Sequence, residues 1–162
     1  MKTRTLHLIW AFMLLFTSLT SSAKIWRVNN QSNYNGTNAW GSNYGGTAAY
    51  PIFKQVNEAI NWNSFTQGDT IHVEASNIIY DPAVINKRVV LIGAGYFINE
   101  NPNVSNGVYD SKIARIDFET GSSNSQVMGM NVVNSTSSTH GYIYVNYDVN
   151  GVVIKRNRIE KG

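Results

Sequence analysis

Four apolar residues that recur at a fixed spacing constrain the fold of this 162-residue chain more than any other feature. The pairs are Ile116 and Ile143, Phe118 and Val145, Val127 and Ile154, and Val132 and Ile159, each with the spacing 143 − 116 = 27 residues. Two strand positions about eleven residues apart that share one period indicate a chain that turns and stacks on itself. In a parallel β-helix, the inward side chains of one turn lie on those of the next. The spacing therefore predicts an all-β solenoid of this type.

The repeat has one competing explanation and one interruption. A β-sandwich whose strands happen to match would show the same residues, but it would place them in two facing layers of antiparallel strands. Residues 96–112 break the 27-residue register, and their Asn-Pro and Asn-Gly steps predict an inserted loop. The pairing of Ile116 with Ile143 distinguishes the two architectures.

The N-terminus predicts a secretory signal peptide over residues 1–23. A basic start precedes an apolar run over residues 8–16, and Ser-Ser-Ala at 21–23 fits a cleavage site before Lys24. The run covers about half of the roughly 20 residues that a transmembrane helix needs; a signal retained as an anchor is the alternative. Cleavage would leave 162 − 23 = 139 residues, enough for one domain. We expect a secreted or cell-surface protein without a transmembrane anchor in its mature chain.

An amphipathic helix is predicted over residues 51–62. It begins with a proline, which suits the first helical position, and its apolar residues fall on one stripe at helical spacing. An opening strand is predicted before it, over residues 24–29, with Ile25 and Val28 as the buried members. The polar, glycine-rich residues 30–49 between these elements predict a long loop.

Short strands follow the helix. Apolar and polar residues alternate over 70–74, and the short apolar runs at 83–85 and 89–92 are bounded by turn residues. A train of strands with a single helix does not fit a doubly wound α/β sheet. The sequence therefore predicts a strand, loop and helix over residues 24–69, and the first turns of an incomplete solenoid over residues 70–162.

Composition excludes several kinds of site. The chain has no cysteine, so it has no disulfide, no thiolate metal site and no cysteine nucleophile. Its formal charge of +3 becomes 3 − 2 = +1 without the two basic residues of the signal peptide. A nucleic-acid surface would carry a broad basic face with stacking aromatic residues. Nucleic acid is therefore not an expected partner.

The strand that contains Ile116 also carries the candidate binding site. If its apolar residues point inward, the alternate residues point outward, as do those one period later. The predicted site consists of Arg115, Asp117, Glu119, Tyr142 and Tyr144. Two carboxylates beside an arginine could hold calcium or bind an acidic sugar, with the tyrosine rings as stacking platforms. The alternative is a solvated face whose charges pair with one another.

Other motifs assign no catalytic residue. His72 and His140 lack the spacing of a metal site. The LIGAG segment at 91–95 superficially matches a dinucleotide-binding turn, but Ile98 stands where that motif needs glycine or alanine. The basic residues over 155–158 could neutralise a uronate, yet no partner acid is identifiable. The sequence also contains no nucleophile-elbow pattern.

Three groups of residues carry a family likeness. They are GDTIHV at 68–73, LIGAGYF at 91–97 with Tyr80 and Lys87 before it, and VMGM at 127–130 with VIKRNRI at 153–159. Together they resemble the N-terminal portion of bacterial secreted right-handed parallel β-helix proteins of the pectin-lyase-like group. The resemblance covers most of residues 50–162. It implies a right-handed coil whose open end is closed by the N-terminal helix, and it implies no single activity, because the group includes lyases, hydrolases and surface adhesins.

Two functions are compatible with this resemblance. The favoured one is an exported β-helix module that binds carbohydrate, for example an extracellular polysaccharide, or acts as a structural or adhesive scaffold. The alternative is a polysaccharide lyase or glycoside hydrolase whose active turns lie beyond Gly162. No closing helix or polar strand follows Ile159 in the sequence. Because solenoids need terminal caps, the sequence predicts a C-terminally truncated β-helix.

Overall fold

A computed structural model describes residues 23–31, 51–95, 109–133 and 142–160 of the chain. The predicted signal peptide up to residue 22, most of the predicted loop over 30–49, the larger part of the predicted insertion over 96–112, and His140 lie outside these ranges. Within them, no helix has the length and apolar character needed to cross a membrane.

The described residues form twelve short strands and one short helix, so the chain is mostly β as the sequence predicts. In chain order the elements are β1 (Ile25–Val28), β2 (Ile52–Phe53), α1 (Val56–Ile60), β3 (Thr70–Val73), β4 (Ala83–Ile85), β5 (Val90–Gly93), β6 (Lys112–Ile113), β7 (Ile116–Phe118), β8 (Gln126–Met128), β9 (Asn131–Val132), β10 (Ile143–Val145), β11 (Val153–Lys155) and β12 (Arg158–Ile159).

The strands form three sheets, and every described strand pair is parallel. Sheet A has the order β11-β8-β5-β3-β1-β2, sheet B the order β12-β9-β6, and sheet C the order β10-β7-β4. From β4 onward the chain visits the sheets in the repeating order C, A, B. Parallel neighbours need a crossover connection. From β4 onward, each crossover contains one strand of each of the other two sheets.

The register of these sheets confirms the 27-residue repeat. The paired residues are Ile143 with Ile116, Val145 with Phe118, Ile154 with Val127, and Ile159 with Val132. A β-sandwich would instead pair its strands in antiparallel layers. The parallel pairing therefore rules out the sandwich alternative for the described strands.

One apolar core receives side chains from all three sheets and from the helix. Val127 of sheet A, Val132 of sheet B, Phe118 of sheet C and Ile60 of α1 all lie in it and are essentially inaccessible to solvent. Full burial of such a side chain contributes about 1.5–3 kcal/mol. The shared core therefore holds the three sheets together.

The last strands of sheets A and B are much more exposed than their neighbours. Ile154 and Ile159 are 45% and 55% exposed, whereas their partners Val127 and Val132 are completely buried. A side chain in stacked strands is covered by the layers on both sides. Ile154 and Ile159 have a described layer on one side only, so they bury less apolar surface.

The opening strand buries Trp26 and Val28, and the prediction that Ile25 is buried was wrong. Ile25 is 64% exposed, whereas Trp26 is 1% exposed. Side chains alternate along a strand, so residues 25 and 28, three positions apart, cannot face the same side. The indole N–H of Trp26 also finds a buried acceptor, because it donates to Oδ2 of Asp69 at 2.8 Å.

The helix is shorter than the predicted 51–62. It covers Val56–Ile60, and the preceding Ile52–Phe53 form β2, which pairs with β1. Glu58 fixes the start of the helix, because its Oε2 accepts hydrogen bonds from the backbone N–H groups of Lys54 and Gln55 at 2.9 and 3.1 Å. The apolar stripe is therefore buried by two different elements, a strand and a helix.

The helix lies along the edge of β4 that faces away from β7. Asn57 donates from Nδ2 to the carbonyl oxygen of Pro82 at 2.9 Å, and its Oδ1 accepts from the backbone N–H of Val84 at 2.8 Å. The side-chain amide therefore pairs with β4 as the peptide group of a neighbouring strand would. On either side of this contact, Gln55 Oε1 accepts from the N–H of Asp81, and Lys87 Nζ donates to the carbonyl of Ile60.

The LIGAG segment serves close packing between the parallel strands β5 and β8. A Cβ atom on Gly93 would lie 2.3 Å from the carbonyl oxygen of Gly129, a separation that real Cβ atoms do not show. Gly129 itself has a φ of +70°, and its carbonyl accepts from the N–H of Gly95 at 3.0 Å. The glycines thus allow the two backbones to approach each other.

Candidate functional site

The central residue of the predicted site lies on the outer side of sheet C. Ile116 and Phe118 of β7 are buried in the core, so Asp117 between them points to the opposite face. In the register of the sheet, Asp117 stands between Val84 of β4 and Tyr144 of β10. The structure therefore brings Asp117 and Tyr144 side by side, as the sequence predicts.

Arg115 and Asp117 form an ion pair along the strand. Nε and Nη2 of Arg115 both donate to Oδ2 of Asp117, at 2.9 and 2.7 Å. Side-chain exposure is 17% for the arginine and 7% for the aspartate. The pair uses two of the five N–H donors of the guanidinium. Arg115 therefore neutralises Asp117 while keeping donors for further contacts.

The second carboxylate oxygen of Asp117 is buried without a hydrogen-bond partner. Asp117 is 5% exposed although it lies on the outer side of the sheet, which the alternation of residues did not predict. Leaving a buried acceptor unpaired costs about 1–3 kcal/mol. A donor from a ligand would satisfy Oδ1, but only after the atoms that cover it move aside.

Glu119 has a separate partner just after β10. Asn146, which lies 27 residues later, donates from Nδ2 to Oε2 of Glu119 at 2.6 Å. The amide oxygen of Asn146 is also buried without a partner. The two carboxylates of the predicted site therefore engage different groups, Asp117 along its own strand and Glu119 across the sheet.

The two tyrosines of the predicted site differ in their surroundings. Tyr142 is half-buried and packs against the apolar core, so its ring is partly used by the fold. Tyr144 is also half-buried, next to Asp117. Neither ring is a fully open stacking platform.

The described residues contain no group of three or more His, Cys, Asp or Glu side chains that could hold a metal ion. Calcium binding by Asp117 and Glu119, which the sequence suggested, would need further ligands at this face. Both carboxylates contact protein nitrogen atoms, Asp117 those of Arg115 and Glu119 that of Asn146.

An exposed tyrosine beyond β10 escaped the sequence analysis. Tyr147 is 98% exposed, in the turn that directly follows β10. The next residue, Asp148, accepts a hydrogen bond from Oγ1 of Thr120 at 2.6 Å, which fastens this turn to the previous one. The signal was available, because the 27-residue spacing aligns Tyr147 with Thr120, a small polar residue. A large ring that replaces a small residue on an outer turn is a candidate contact for a ligand.

A second buried carboxylate, Asp69, lies just before β3. It accepts hydrogen bonds from the backbone N–H of Lys24, from Nε1 of Trp26, and from both the N–H and Oγ1 of Thr66, at 2.8–2.9 Å. Burial on its own raises the pKa of Asp69, but these hydrogen bonds outweigh it and hold the pKa below its usual value. Asp69 is therefore a charged group around which β1 and the start of β3 are organised.

No protein-family model, curated protein or solved structure matches the chain. The outer face of sheet C presents two polar pairs, Arg115 with Asp117 and Glu119 with Asn146, next to an exposed aromatic turn. Such a surface can donate and accept hydrogen bonds and stack a ring against a ligand.

Proposed function

We propose that this chain is an exported module with a right-handed parallel β-helix fold that binds carbohydrate on its outer surface. The observation that carries the proposal is the repeating order in which the chain visits three parallel sheets around one core. Such an order fits a coil in which each turn adds one strand to each sheet. Parallel crossovers are right-handed in nearly all proteins, which supports the handedness.

The helix α1 would close the N-terminal end of this coil. Support comes from the hydrogen bonds of Asn57, Gln55 and Lys87 around the edge of β4. An uncovered strand edge is a template for pairing with other chains. A helix whose side chains occupy the backbone groups of that edge would prevent such pairing.

Export is supported by the sequence of residues 1–23, and β1 begins at Ile25, close behind the predicted cleavage site between Ala23 and Lys24. The resemblance to the pectin-lyase-like group supports the same location, outside the cell. A protein without cysteine depends on burial and backbone pairing for its stability there. The parallel sheets supply both.

Carbohydrate is the ligand class that best fits the outer surface of sheet C. Sugars present hydroxyl groups that donate to carboxylate and amide oxygens, and apolar C–H faces that stack on aromatic rings. Tyr147 offers an exposed ring, and Asp148 beside it offers a carboxylate. Arg115 has donors that could bind the carboxylate of a uronic acid. A sugar chain that lies along the parallel strands β7 and β10 would meet Arg115 near their start and Tyr147 beyond their end.

The test is a binding titration of the purified protein against a panel of neutral and acidic polysaccharides. We expect binding to at least one member, and we expect Tyr147→Ala to weaken it about three- to tenfold, since an aromatic contact contributes roughly 0.5–1.5 kcal/mol. Tyr109→Ala is the matched control, because Tyr109 is another exposed tyrosine and precedes β6 of sheet B, whereas Tyr147 follows β10 of sheet C. It should leave binding unchanged.

Three results would contradict the proposal. Absence of binding across the panel would exclude carbohydrate as the ligand. An equal loss in Tyr109→Ala and Tyr147→Ala would exclude the turn as the contact. The appearance of unsaturated or shortened sugar products during incubation would show turnover and favour the lyase or hydrolase alternative.

A further inference from the structure

The backbone nitrogen of Lys24 lies at a buried carboxylate. Its N–H donates to Oδ1 of Asp69 at 2.9 Å, and Asp69 is 0% exposed. The carbonyl of the same residue accepts from the N–H of Thr70 at 2.8 Å. Both backbone groups of Lys24 are therefore held at the start of β3, and the nitrogen faces a negative charge.

No Lys, Arg or His side chain of the described residues forms an ion pair with this carboxylate. Their three ion pairs join Arg27 to Glu74, Arg115 to Asp117, and Arg158 to Glu160, and none includes Asp69. A buried charge is costly unless it is both hydrogen-bonded and paired. Asp69 has the hydrogen bonds, from Trp26, Thr66 and Lys24, and it lacks the opposite charge.

We propose that cleavage after Ala23 supplies that charge, because the new α-ammonium group of Lys24 forms a buried ion pair with Asp69 and locks β1 onto β3. The inference rests on the proposed export of the chain. Export requires only that the targeting segment be removed. The inference adds that its removal also stabilises the fold.

The chemistry of the step is hydrolysis of one peptide bond. Water is the co-reactant, and the endopeptidase of the export machinery is the catalyst. The bond between the carbonyl carbon of Ala23 and the nitrogen of Lys24 breaks. The carbonyl carbon takes the oxygen of water and becomes a carboxylate, and the nitrogen takes up the protons of water and leaves as an ammonium group at neutral pH. An amide with a single N–H is thus replaced by an ammonium group with three.

The geometry around Lys24 favours this exchange. Ala23 is exposed, so its removal uncovers no buried apolar surface at that residue. The nitrogen already has its partner at hydrogen-bonding distance, so the ammonium group needs no rearrangement to reach Oδ1. A charged donor makes a stronger hydrogen bond than a neutral one. The processed chain should therefore be more stable than an otherwise identical chain whose nitrogen remains an amide.

The test compares two forms of residues 24–162, one with a free α-amino group on Lys24 and one with that group acetylated. Acetylation restores an uncharged amide N–H and adds only a small acetyl group, which stands where the carbonyl of Ala23 stood. We expect the acetylated form to have an equilibrium constant of unfolding about five- to tenfold larger, from the difference between charged and neutral hydrogen bonds. In Asp69→Asn, the two forms should differ by less than twofold.

A matched variant keeps the test decisive if Asp69→Asn does not fold. Thr66→Val removes one hydroxyl donor to Asp69 but keeps the negative charge, so both forms should weaken while the difference between them remains. The rate at which an amine reagent modifies the α-amino group is a second readout, and we expect it to be much slower in the folded than in the unfolded chain. Equal stability of the two forms, or an unprotected α-amino group, would overturn the inference.

The mass of the exported protein separates this inference from the export proposal. A chain that begins at Lys24 supports both. A chain that is exported and cleaved at another bond overturns the ion pair and leaves export standing. A chain that is retained in the cell with residues 1–23 attached refutes export, whereas the comparison of the two Lys24 forms still measures the strength of the pair.

Discussion

Replacement of Asn57 by alanine tests whether the helix protects the edge of β4. The side chain of Asn57 makes two hydrogen bonds to that edge, one to the carbonyl of Pro82 at 2.9 Å and one from the N–H of Val84 at 2.8 Å. Alanine keeps the helix and removes both bonds. The backbone groups of Pro82 and Val84 would then lack their partner.

The expected cost follows from these two bonds. Each contributes about 0.5–1.5 kcal/mol, which gives roughly 1–3 kcal/mol for the pair. Alanine is a better helix former than asparagine by roughly 0.5 kcal/mol, and this gain offsets part of the loss. We therefore expect Asn57→Ala to lower the free energy of unfolding by about 1–2 kcal/mol.

Urea unfolding and amide hydrogen exchange would measure the effect. Asn61→Ala is the matched control, since Asn61 is exposed at the end of the same helix and its described contacts use only its backbone. Exchange should accelerate at the N–H of Val84, while the N–H of Ala83, which donates to the carbonyl of Arg115 on the other side of the strand, stays protected. If Asn57→Ala behaves like Asn61→Ala, or if Val84 keeps its protection, the edge-protection reasoning fails.

Three further predictions concern the packing and charge of the fold. The pKa of Asp69 is lower in the folded chain than its usual value of 3.8. Its charged form therefore contributes its full stabilisation above pH 3.8, and this contribution is lost as the pH falls through the folded pKa. In an acid titration, the free energy of unfolding should fall more steeply for the native chain than for Asp69→Asn. Gly93→Ala should destabilise by about 3 kcal/mol or more in thermal unfolding, because its Cβ would collide with the backbone of Gly129. In urea unfolding, Val127→Ala should lower the free energy of unfolding by about 2–3 kcal/mol. Ile154→Ala should lower it less, although it removes more atoms, because only Val127 is fully buried. The reverse order would contradict the described layering.

The fold was predictable where apolar residues recur at a fixed spacing. It was less predictable where one long-range contact decides which residue is buried. The spacing of Ile116 and Ile143 predicted a pairing that the register confirms. Periodicity failed at the opening strand, where apolar character alone favoured Ile25 over Trp26. The deciding interaction there is long-range, because the indole N–H needs an acceptor and Asp69 supplies it from 43 residues away. No local pattern contains that information.

The helix shows a second limit of local patterns. An apolar stripe over residues 51–62 fits a helix, but the same residues can be buried by a strand followed by a short helix. Pairing of β2 with β1 satisfies the backbone of Ile52 and Phe53, which a longer helix would also have done. The choice depends on the neighbouring strand and on the side chain of Glu58, which ties the turn before the helix. The sequence predicted the burial of these residues correctly, whereas the helix that it predicted over residues 51–62 is a strand at Ile52–Phe53 and a helix only at Val56–Ile60.

The candidate site was predicted as a set of outward residues, and their pairing could not be read from alternation. Alternation places Asp117 on the outer side of β7, but it says nothing about the 5% exposure of that residue. Its neighbours in the register of the sheet are Val84 and Tyr144, and the guanidinium of Arg115 lies at its Oδ2. Tyr147 lies in a turn, where the period of two does not apply, so the same reasoning passed over it.

These contacts determine the order in which a ligand could engage the outer face of sheet C. Removing one partner of a buried ion pair costs about 3–5 kcal/mol, more than a single hydrogen bond to a sugar returns. A ligand therefore gains nothing by displacing Arg115 from Asp117 at first contact. The exposed ring of Tyr147 can be contacted without breaking any bond of the described fold. Recognition at this face should therefore begin at the turn after β10, and Asp117 should contribute to affinity only for a ligand that keeps its pair with Arg115 intact.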